Sequence, residues 1–191
     1  MITCDDFALS AATGSALVSR PVQLPAKCGA GTWTVHRGTW TINAGQLDPS
    51  GGNATATISA GQTDISAEAT ILNANATSRV AGVSINHTGA SRVYLVGVLS
   101  DPSTAQLRLV NGGSVSTLAS ASVTIGASAV VRITRTGTTV TVSVNGMLAL
   151  THTLTSGQVS TLSGGLLVGL YWDAGNPIRM TNIVATTPAS P

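Results

Sequence analysis

Charged residues are scarce in this chain of 191 residues. Asp, Glu, Lys and Arg make up 8% of the sequence, whereas an ordinary soluble domain has about 25%. Lys27 and Glu68 are the single lysine and the single glutamate. Ala, Thr, Ser and Gly replace the missing charges, so few ions lose their hydration when another molecule covers the surface. This composition favours a protein that works against other proteins or a polysaccharide.

The sequence also lacks a basic cluster and a long apolar run. The net charge is +2, and the arginines are scattered along the chain. Because binding to phosphates needs clustered cations, we expect no nucleic-acid partner. No apolar run approaches the roughly 20 residues of a membrane helix, and Met1–Asp6 does not have the pattern of a signal peptide. We therefore expect neither a membrane segment nor a leader.

Cysteine is rare, with Cys4 and Cys28 as the two examples. They either form a disulfide that pins the first strand to the following loop or remain two reduced, buried thiols. Two cysteines do not make the disulfide framework that would identify the compartment. Both interpretations stay open.

A catalytic pair of carboxylates is missing. Hydrolysis of a glycosidic bond needs two carboxyl groups about 5–9.5 Å apart. The nearest pairing is Asp64 with Glu68, four positions apart in a predicted strand, which at about 3.3 Å per residue separates them by about 13 Å. No serine lies in a Gly-x-Ser-x-Gly elbow. We predict that the chain is not an enzyme and has no catalytic residues.

Metal-ligand spacing is absent as well. His36, His87 and His152 lie in separate segments, with no His-x-His pattern and no closely spaced cysteine pair, which disfavours zinc. Asp173 alone, with nearby carbonyl groups, is a poor cage for calcium. The prediction is no metal and no cofactor.

Period-2 alternation is the dominant pattern, and helical periodicity is almost absent. Residues 140–144 alternate Val with Thr or Ser before Asn145-Gly146, and Asn111-Gly112-Gly113 is a second strong hairpin signal. About a dozen short strands follow one another at intervals of about 8–12 residues, as in a sandwich or barrel. We predict an all-β, two-sheet antiparallel jelly-roll β-sandwich in one domain over residues 1–186, with 187–191 as a frayed tail.

Four segments resemble the concanavalin A-like lectin/glucanase superfamily, which includes laminin-G-like domains. They are the Asp5-Asp6-Phe7 start, the Trp40–Leu47 hairpin, the strand and turn of residues 140–146, and the closing pair Gly169-Leu170-Tyr171 and Met180–Val184. The resemblance implies a concanavalin A-like fold. It implies little about activity, since this fold serves lectins, glycosidases and interaction modules. The Glu-x-Asp-x-x-Glu strand of the glucanases is missing here.

Five residues are candidate ligand contacts. Trp172, Asp173 and Asn176 lie in a predicted loop that ends at Pro177 and combines a stacking ring with polar groups. Trp33 and His36 lie at a polar turn, where an exposed indole would stack on a sugar. In the resembling family, tryptophan at the latter position usually packs in the core or under a loop. Burial is therefore the favoured interpretation for Trp33, whereas for Trp172 burial and binding are equally open.

The preferred functional prediction is a non-enzymatic virion surface protein, either a phage minor tail protein or a capsid-decorating protein. Stand-alone domains of this kind in tailed phages share the preference for Arg over Lys and the richness in Ala, Thr and Gly. The predicted partners are other virion proteins, a cell-surface glycan and further copies in a homo-oligomer. The alternative is a carbohydrate-binding module of a secreted bacterial protein, located outside the cell.

The two cysteines generate the first testable prediction. Cys4 and Cys28 flank the first strand and its return loop, so we expect them to be close enough to bridge. Mass spectrometry without reductant, after mild oxidation, should show the loss of two hydrogens. Two thiols that both react with an alkylating reagent in the folded protein would contradict the pairing.

Overall fold

The computed structural model describes residues 3–5, 7, 14–18, 31–101, 103–173 and 178–188. Within these ranges the chain forms fourteen strands, one short α-helix and one 3-10 turn at Gly89–Ser91. The strands are β1 (Thr3–Asp5), β2 (Ser15–Ala16), β3 (Thr34–Asn43), β4 (Gln46–Ser59), β5 (Ile65–Leu72), β6 (Val80–His87), β7 (Tyr94–Ser100), β8 (Thr104–Asn111), β9 (Ser114–Ser122), β10 (Ser128–Thr136), β11 (Thr139–Val144), β12 (Met147–Thr153), β13 (Leu167–Asp173) and β14 (Arg179–Thr186), and the helix α1 is Ser156–Thr161.

All neighbouring strands pair antiparallel, in the order β12-β11-β10-β5-β14-β4-β13-β6-β7-β8-β9. We call the run β12-β11-β10-β5-β14, with β1 beside β14, the first sheet. The run β4-β13-β6-β7-β8-β9, with β3 beside β4 and β2 beside β3, is the second sheet. The two sheets join where Met180 of β14 pairs with Leu47 of β4. They then face one another, since β10 packs against β6 and β7. The predicted all-β, two-sheet antiparallel sandwich is confirmed.

Alternation along the strands fills the space between the sheets. In β5 every second residue from Ile65 to Ile71 is buried, and the residues between them are half-buried on the opposite face. Gly97 of β7 faces the first sheet, where an added Cβ would lie 3.2 Å from the Val142 side chain and 3.3 Å from that of Ile133. The sheets therefore approach closely at this point, and a small residue is required there.

The N-terminal motif is a buried hydrogen-bonded anchor. Asp5 is fully buried, and its carboxylate accepts hydrogen bonds from the Phe7 backbone N–H at 2.9 Å and from the Trp33 indole Nε1–H at 2.8 Å. A buried carboxylate needs such donors to offset its lost hydration. Cys4 is also buried on β1. Cys28 lies outside the described residues, so the cysteine pairing stays a prediction.

Three features differ from the predicted pattern. Strand β4 is not short, since it continues without a break from Gln46 to Ser59. The closing strands β13 and β14 are not neighbours, since β4 lies between them. Helix α1 was not predicted, although Thr155 and Gln158 form a capping box in which each side chain accepts from the backbone N–H of the other.

The Asn145-Gly146 hairpin generates the second prediction. Both residues have positive φ (52° and 80°), as a type I′ turn requires, and the Asn145 side chain accepts a hydrogen bond from the Val130 N–H. Gly146→Val should therefore lower the free energy of unfolding by about 1–3 kcal/mol. Gly126→Val is the control, because Gly126 has no positive φ and no close neighbour. Equal thermal melts for the two variants would contradict the turn assignment.

Candidate functional site

The central strands of the second sheet, β6, β7 and β13, are buried on both faces. All seven residues of β7 are buried. Leu95 and Leu99 belong to the core between the sheets, whereas Tyr94, Val96 and Val98 belong to a separate cluster on the opposite face, together with Val110 and Tyr171. We call this opposite side the outer face.

Four rings form a row across the outer face, contributed by β3, β6, β7 and β13. The ring of His36 stacks on His87 and His87 stacks on Tyr94, each with centroids 4.5 Å apart, and Tyr94 is tilted against Tyr171 at 6.1 Å. We call His36, His87, Tyr94 and Tyr171 the ring row. Such separations are typical of aromatic rings that stabilise one another.

An irregularity in β6 places His87 in the ring row. Ile85 faces the core, so strict alternation would also turn residue 87 inward. Asn86 instead adopts a positive φ of 52°, and the register between β6 and β13 shifts at this point. The Asn86 amide is held by the Thr63 carbonyl at 2.9 Å and by the Arg135 guanidinium at 3.2 Å. This local bulge reverses the alternation and turns His87 outward.

Burial keeps the ring row uncharged. It lowers the pKa of His87 to about 3, with a smaller contribution from His36, and it also lowers the pKa of His36. Burial raises the pKa of Tyr94 to about 12 and also raises that of Tyr171. Near neutral pH, all four rings are therefore neutral hydrogen-bonding groups.

Several buried polar atoms on this face have no hydrogen-bond partner. His87 Nδ1 accepts from the Gly89 N–H at 2.9 Å, so a neutral His87 carries its proton on Nε2. This Nε2 is buried and unpartnered, and so are Thr55 Oγ1 and Ser84 Oγ. Buried polar groups in folded proteins usually have partners, so unpaired ones need an explanation. A ligand that supplies the missing partners is one such explanation.

A small cleft opens beside the ring row. It is lined by Arg37, Asn53, Thr55, Arg92, Tyr94 and Tyr171, with Val110, Gly113 and Val115 at its other side, and we call it the outer cleft. Next to it, Arg108 lies 3.9 Å from Asp173, whose carboxylate also accepts from the Tyr171 hydroxyl at 3.3 Å. The arrangement combines ring faces, which stack on apolar surfaces, with donors and acceptors at their edges.

Two of the five predicted ligand residues lie on the outer face. His36 is half-buried in the ring row, where its Nε2 lies 2.8 Å from Thr57 Oγ1, and Asp173 ends β13 beside Tyr171. Asn176 lies outside the described residues, as does Pro177. The binding role of His36 and Asp173 remains a proposal.

The two tryptophans point into the core. Trp33 is 1% exposed and Trp172 is 7% exposed, and both belong to the main core cluster. Trp172 was expected at the start of a loop, but it lies inside β13, where alternation turns it away from the outer face. Neither indole is positioned to stack on a ligand at the surface. Both tryptophans are therefore core residues.

The other outer-face residues were missed by sequence reasoning, among them Tyr94, Tyr171 and the two arginines of the cleft. The available signal was the unbroken apolar run of β7, because a strand without polar alternation is buried on both faces. His87 had no such signal, since its orientation depends on the bulge.

Asp64, just before β5, and Glu68 of β5 do not act as a pair. Glu68 forms an ion pair with Arg132, at 2.7 Å from its Nε, whereas Asp64 accepts from the Gly137 N–H at 2.9 Å. Among the described residues, no three His, Cys, Asp or Glu side chains are grouped as metal ligands. In the same part of the chain, no helix has the length and apolar character to cross a membrane.

Solved structures with similar folds include carbohydrate-binding proteins. A carbohydrate binding module, CBM66 from Bacillus subtilis, matches with a TM-score of 0.65 at 17% identity, over 80% of this chain and 94% of that one. The galectin LEC-6 from Caenorhabditis elegans matches with a TM-score of 0.51 at 12% identity, over 74% of this chain and 96% of that one. The GH43 protein BlXynB from Bacillus licheniformis matches at 0.64 and 13% identity, over 97% of this chain but 39% of that one.

No protein-family model and no curated protein sequence matches the chain. At such low identities the structural matches establish the fold alone, an antiparallel jelly-roll sandwich like that of the galectin.

The buried histidine generates the third prediction. The pKa of His87 in the folded chain, about 3, lies below the ordinary value of 6.5, so below pH 6.5 the unfolded state binds more protons. Stability should therefore be highest above pH 6.5 and fall as the pH decreases toward 3. His87→Phe keeps the ring stack but does not titrate, so it should lose less thermal stability between pH 7 and pH 5 than the parent chain.

His152→Phe is the control, since His152 lies on β12 of the first sheet. Between pH 7 and pH 5, this variant should lose as much thermal stability as the parent chain does. If the thermal stability of His87→Phe depends on pH as that of the parent chain does, the lowered pKa of His87 is contradicted.

Proposed function

We propose that the chain is a non-catalytic carbohydrate-binding module and that the outer face of the second sheet binds the saccharide. The observation that carries the proposal is the ring row beside unpartnered buried polar atoms. A sugar ring has apolar C–H faces that stack on aromatic rings and hydroxyl groups that hydrogen-bond in the plane of the ring. The outer face offers both kinds of partner, since the half-buried ring of His36 ends the ring row and polar groups line the outer cleft beside it.

The cleft has a buried floor and an accessible rim. Tyr94 and Tyr171 are 5% and 3% exposed and form a rigid floor, whereas Arg37 is exposed and Asn53 is half-buried at the rim. A saccharide would meet the rim first and then the unpartnered Thr55 hydroxyl. Because the floor is already packed, little conformational freedom would be lost on binding.

The names of the matching structures support this function over the alternatives. One is called a carbohydrate binding module and another a galectin, and a third, Emp46p, contributes a carbohydrate recognition domain with a TM-score of 0.53 at 10% identity. The fold alone does not carry function, since it is shared by unrelated activities. The proposal therefore rests on the ring row, and the comparisons make a sugar the preferred ligand.

A binding role fits the carboxylates better than hydrolysis does. Glu68 is paired with Arg132, and Asp64 is held by the Gly137 N–H, so neither faces a partner carboxylate across a cleft. The similarity to BlXynB covers less than half of that protein. A module that binds a sugar without cleaving it is consistent with both observations.

An extracellular carbohydrate-binding module is better supported than a virion surface protein. The virion prediction rests on composition and on the resemblance, whereas the names of CBM66 and of the Emp46p domain refer to carbohydrate binding or recognition. A virion location, virion partner proteins and a homo-oligomer therefore stay predictions. A polysaccharide outside the cell is the partner that we propose.

The fourth prediction tests sugar binding at the ring row. His36→Ala removes the outermost ring, so binding to a recognised polysaccharide should weaken about three- to tenfold, as expected for one stacking contact. His152→Ala removes a histidine from β12 of the first sheet and should leave binding unchanged. Affinity electrophoresis against a panel of neutral and acidic polysaccharides gives the comparison, and thermal melts confirm that both variants fold.

Two outcomes would contradict the proposal. Retardation by no member of the panel would mean that the outer face has no saccharide function. An equal loss of binding in the two histidine variants would place the binding surface elsewhere.

A further inference from the structure

We propose that the outer cleft selects an anionic saccharide, with a carboxylate or sulfate group held between Arg37 and Arg92. This inference rests on the proposed carbohydrate-binding function and adds the class of sugar. A neutral glycan would use the ring row but would leave both guanidinium groups without a charged partner. Three features support anion selection: the absence of partners for the two arginine side chains, the positive charge of the cleft and the hydrogen-bond donors on its floor.

Arg37 and Arg92 differ from the other described arginines in having unpaired side chains. Neither forms an ion pair or a side-chain hydrogen bond with any residue that the structure describes. The other arginines in that part of the chain all have partners: Arg79 with the Asp101 carbonyl, Arg108 with Asp173, Arg132 with Glu68, Arg135 with Asn86, and Arg179 with Asp48. Both residues line the same cleft.

The surroundings do not neutralise this pair. The two arginines are close enough to Tyr94 that each opposes the rise in the pKa of its phenol. The neighbouring His36 and His87 are neutral near pH 7, since burial lowers the pKa of both. The nearby Asp173 is already paired with Arg108. The cleft is therefore positive, in a chain that otherwise has few charges.

The cleft floor supplies further donors. Thr55 is 3% exposed, its Oγ1 has no partner, and it lies opposite Arg37 in the β3–β4 ladder. The Tyr94 hydroxyl makes no hydrogen bond to any described residue. Two guanidinium forks with two hydroxyl donors match the several oxygens of a carboxylate or sulfate. Partial removal from water strengthens such charge-assisted bonds.

The backbone holds Arg92 in place. It follows the 3-10 turn and has a positive φ of 49°, and its N–H donates to the Gly89 carbonyl at 3.0 Å. Thr88 Oγ1 accepts from the Val93 N–H at 3.2 Å on the other side. A non-glycine residue in this conformation is uncommon and is maintained only by its surroundings. Arg92 is thus fixed at the rim of the cleft.

The experiment uses matched ligand pairs that differ in charge. Isothermal titration of the full chain compares polygalacturonate with its methyl-esterified form, and dextran sulfate with dextran. We expect binding to the charged member of at least one pair that is about tenfold or more tighter than to its neutral form. If polygalacturonate alone binds more tightly than its neutral form, the ligand group is a carboxylate. If dextran sulfate alone does so, the ligand group is a sulfate ester.

Arginine variants separate the site from general attraction between a cation and a polyanion. Arg37→Gln and Arg92→Gln should each weaken binding to the charged ligand about tenfold, whereas Arg132→Gln, on the first sheet, removes the same charge and should leave it unchanged. Equal losses in all three variants would overturn the proposal. Thermal melts identify any variant that fails to fold, and Arg37→Lys then replaces Arg37→Gln, with an intermediate loss expected because the fork is missing.

The results also distinguish this inference from the function on which it rests. Binding to neutral polysaccharides alone, unchanged in Arg37→Gln and Arg92→Gln, would overturn anion selection and leave the carbohydrate-binding function intact. Binding to no polysaccharide, charged or neutral, would overturn both.

Discussion

The structure depends on the central strands of the second sheet, β6, β7 and β13, being buried on both faces. One face packs against the first sheet through residues such as Leu95 and Leu99. The other face has no layer of secondary structure over it in the described residues, yet Val96 and Val98 are fully buried there. A sheet that buries its outer face in this way has a rigid, partly desolvated surface.

The candidate site follows from this packing. Because the rings are buried, they stay neutral and fixed in orientation, and the polar atoms between them lose water without gaining protein partners. Such unpaired groups reduce stability, since a buried donor without an acceptor costs about 1–3 kcal/mol. A bound ligand that supplies the partners recovers part of this energy. On the proposed function, the outer face is arranged for binding at some expense to the free protein.

The few charges of the chain are distributed unevenly. On the first sheet, Arg132 and Glu68 pair with one another among Ser and Thr side chains, which lowers the charge on that surface. On the outer face, Arg37 and Arg92 remain unpaired at one cleft. Low overall charge therefore does not make the whole surface inert. It makes the outer cleft the place where electrostatic attraction can act selectively.

Local signals in the sequence determined the strand pattern and the turns. The alternation of residues 140–144 and the positive φ values of Asn145-Gly146 depend on neighbouring residues alone, so the sequence predicted them correctly. The Asp5-Asp6-Phe7 motif also indicated the fold, although the bond from Asp5 to Trp33 joins residues 28 positions apart. The class of the fold was therefore accessible without coordinates.

Tertiary structure alone decided which residues share the candidate site. Trp172 and Tyr171 are adjacent in sequence, but the pairing of β13 between β4 and β6 turns the indole inward and the phenol outward. His87 faces outward because the bulge at Asn86 reverses the alternation of β6. Arg37 and Arg92 meet because five aligned strands, β3, β4, β13, β6 and β7, bring their loops and edges to one face. Sequence patterns report which positions alternate, whereas strand order and register decide which alternating positions become neighbours.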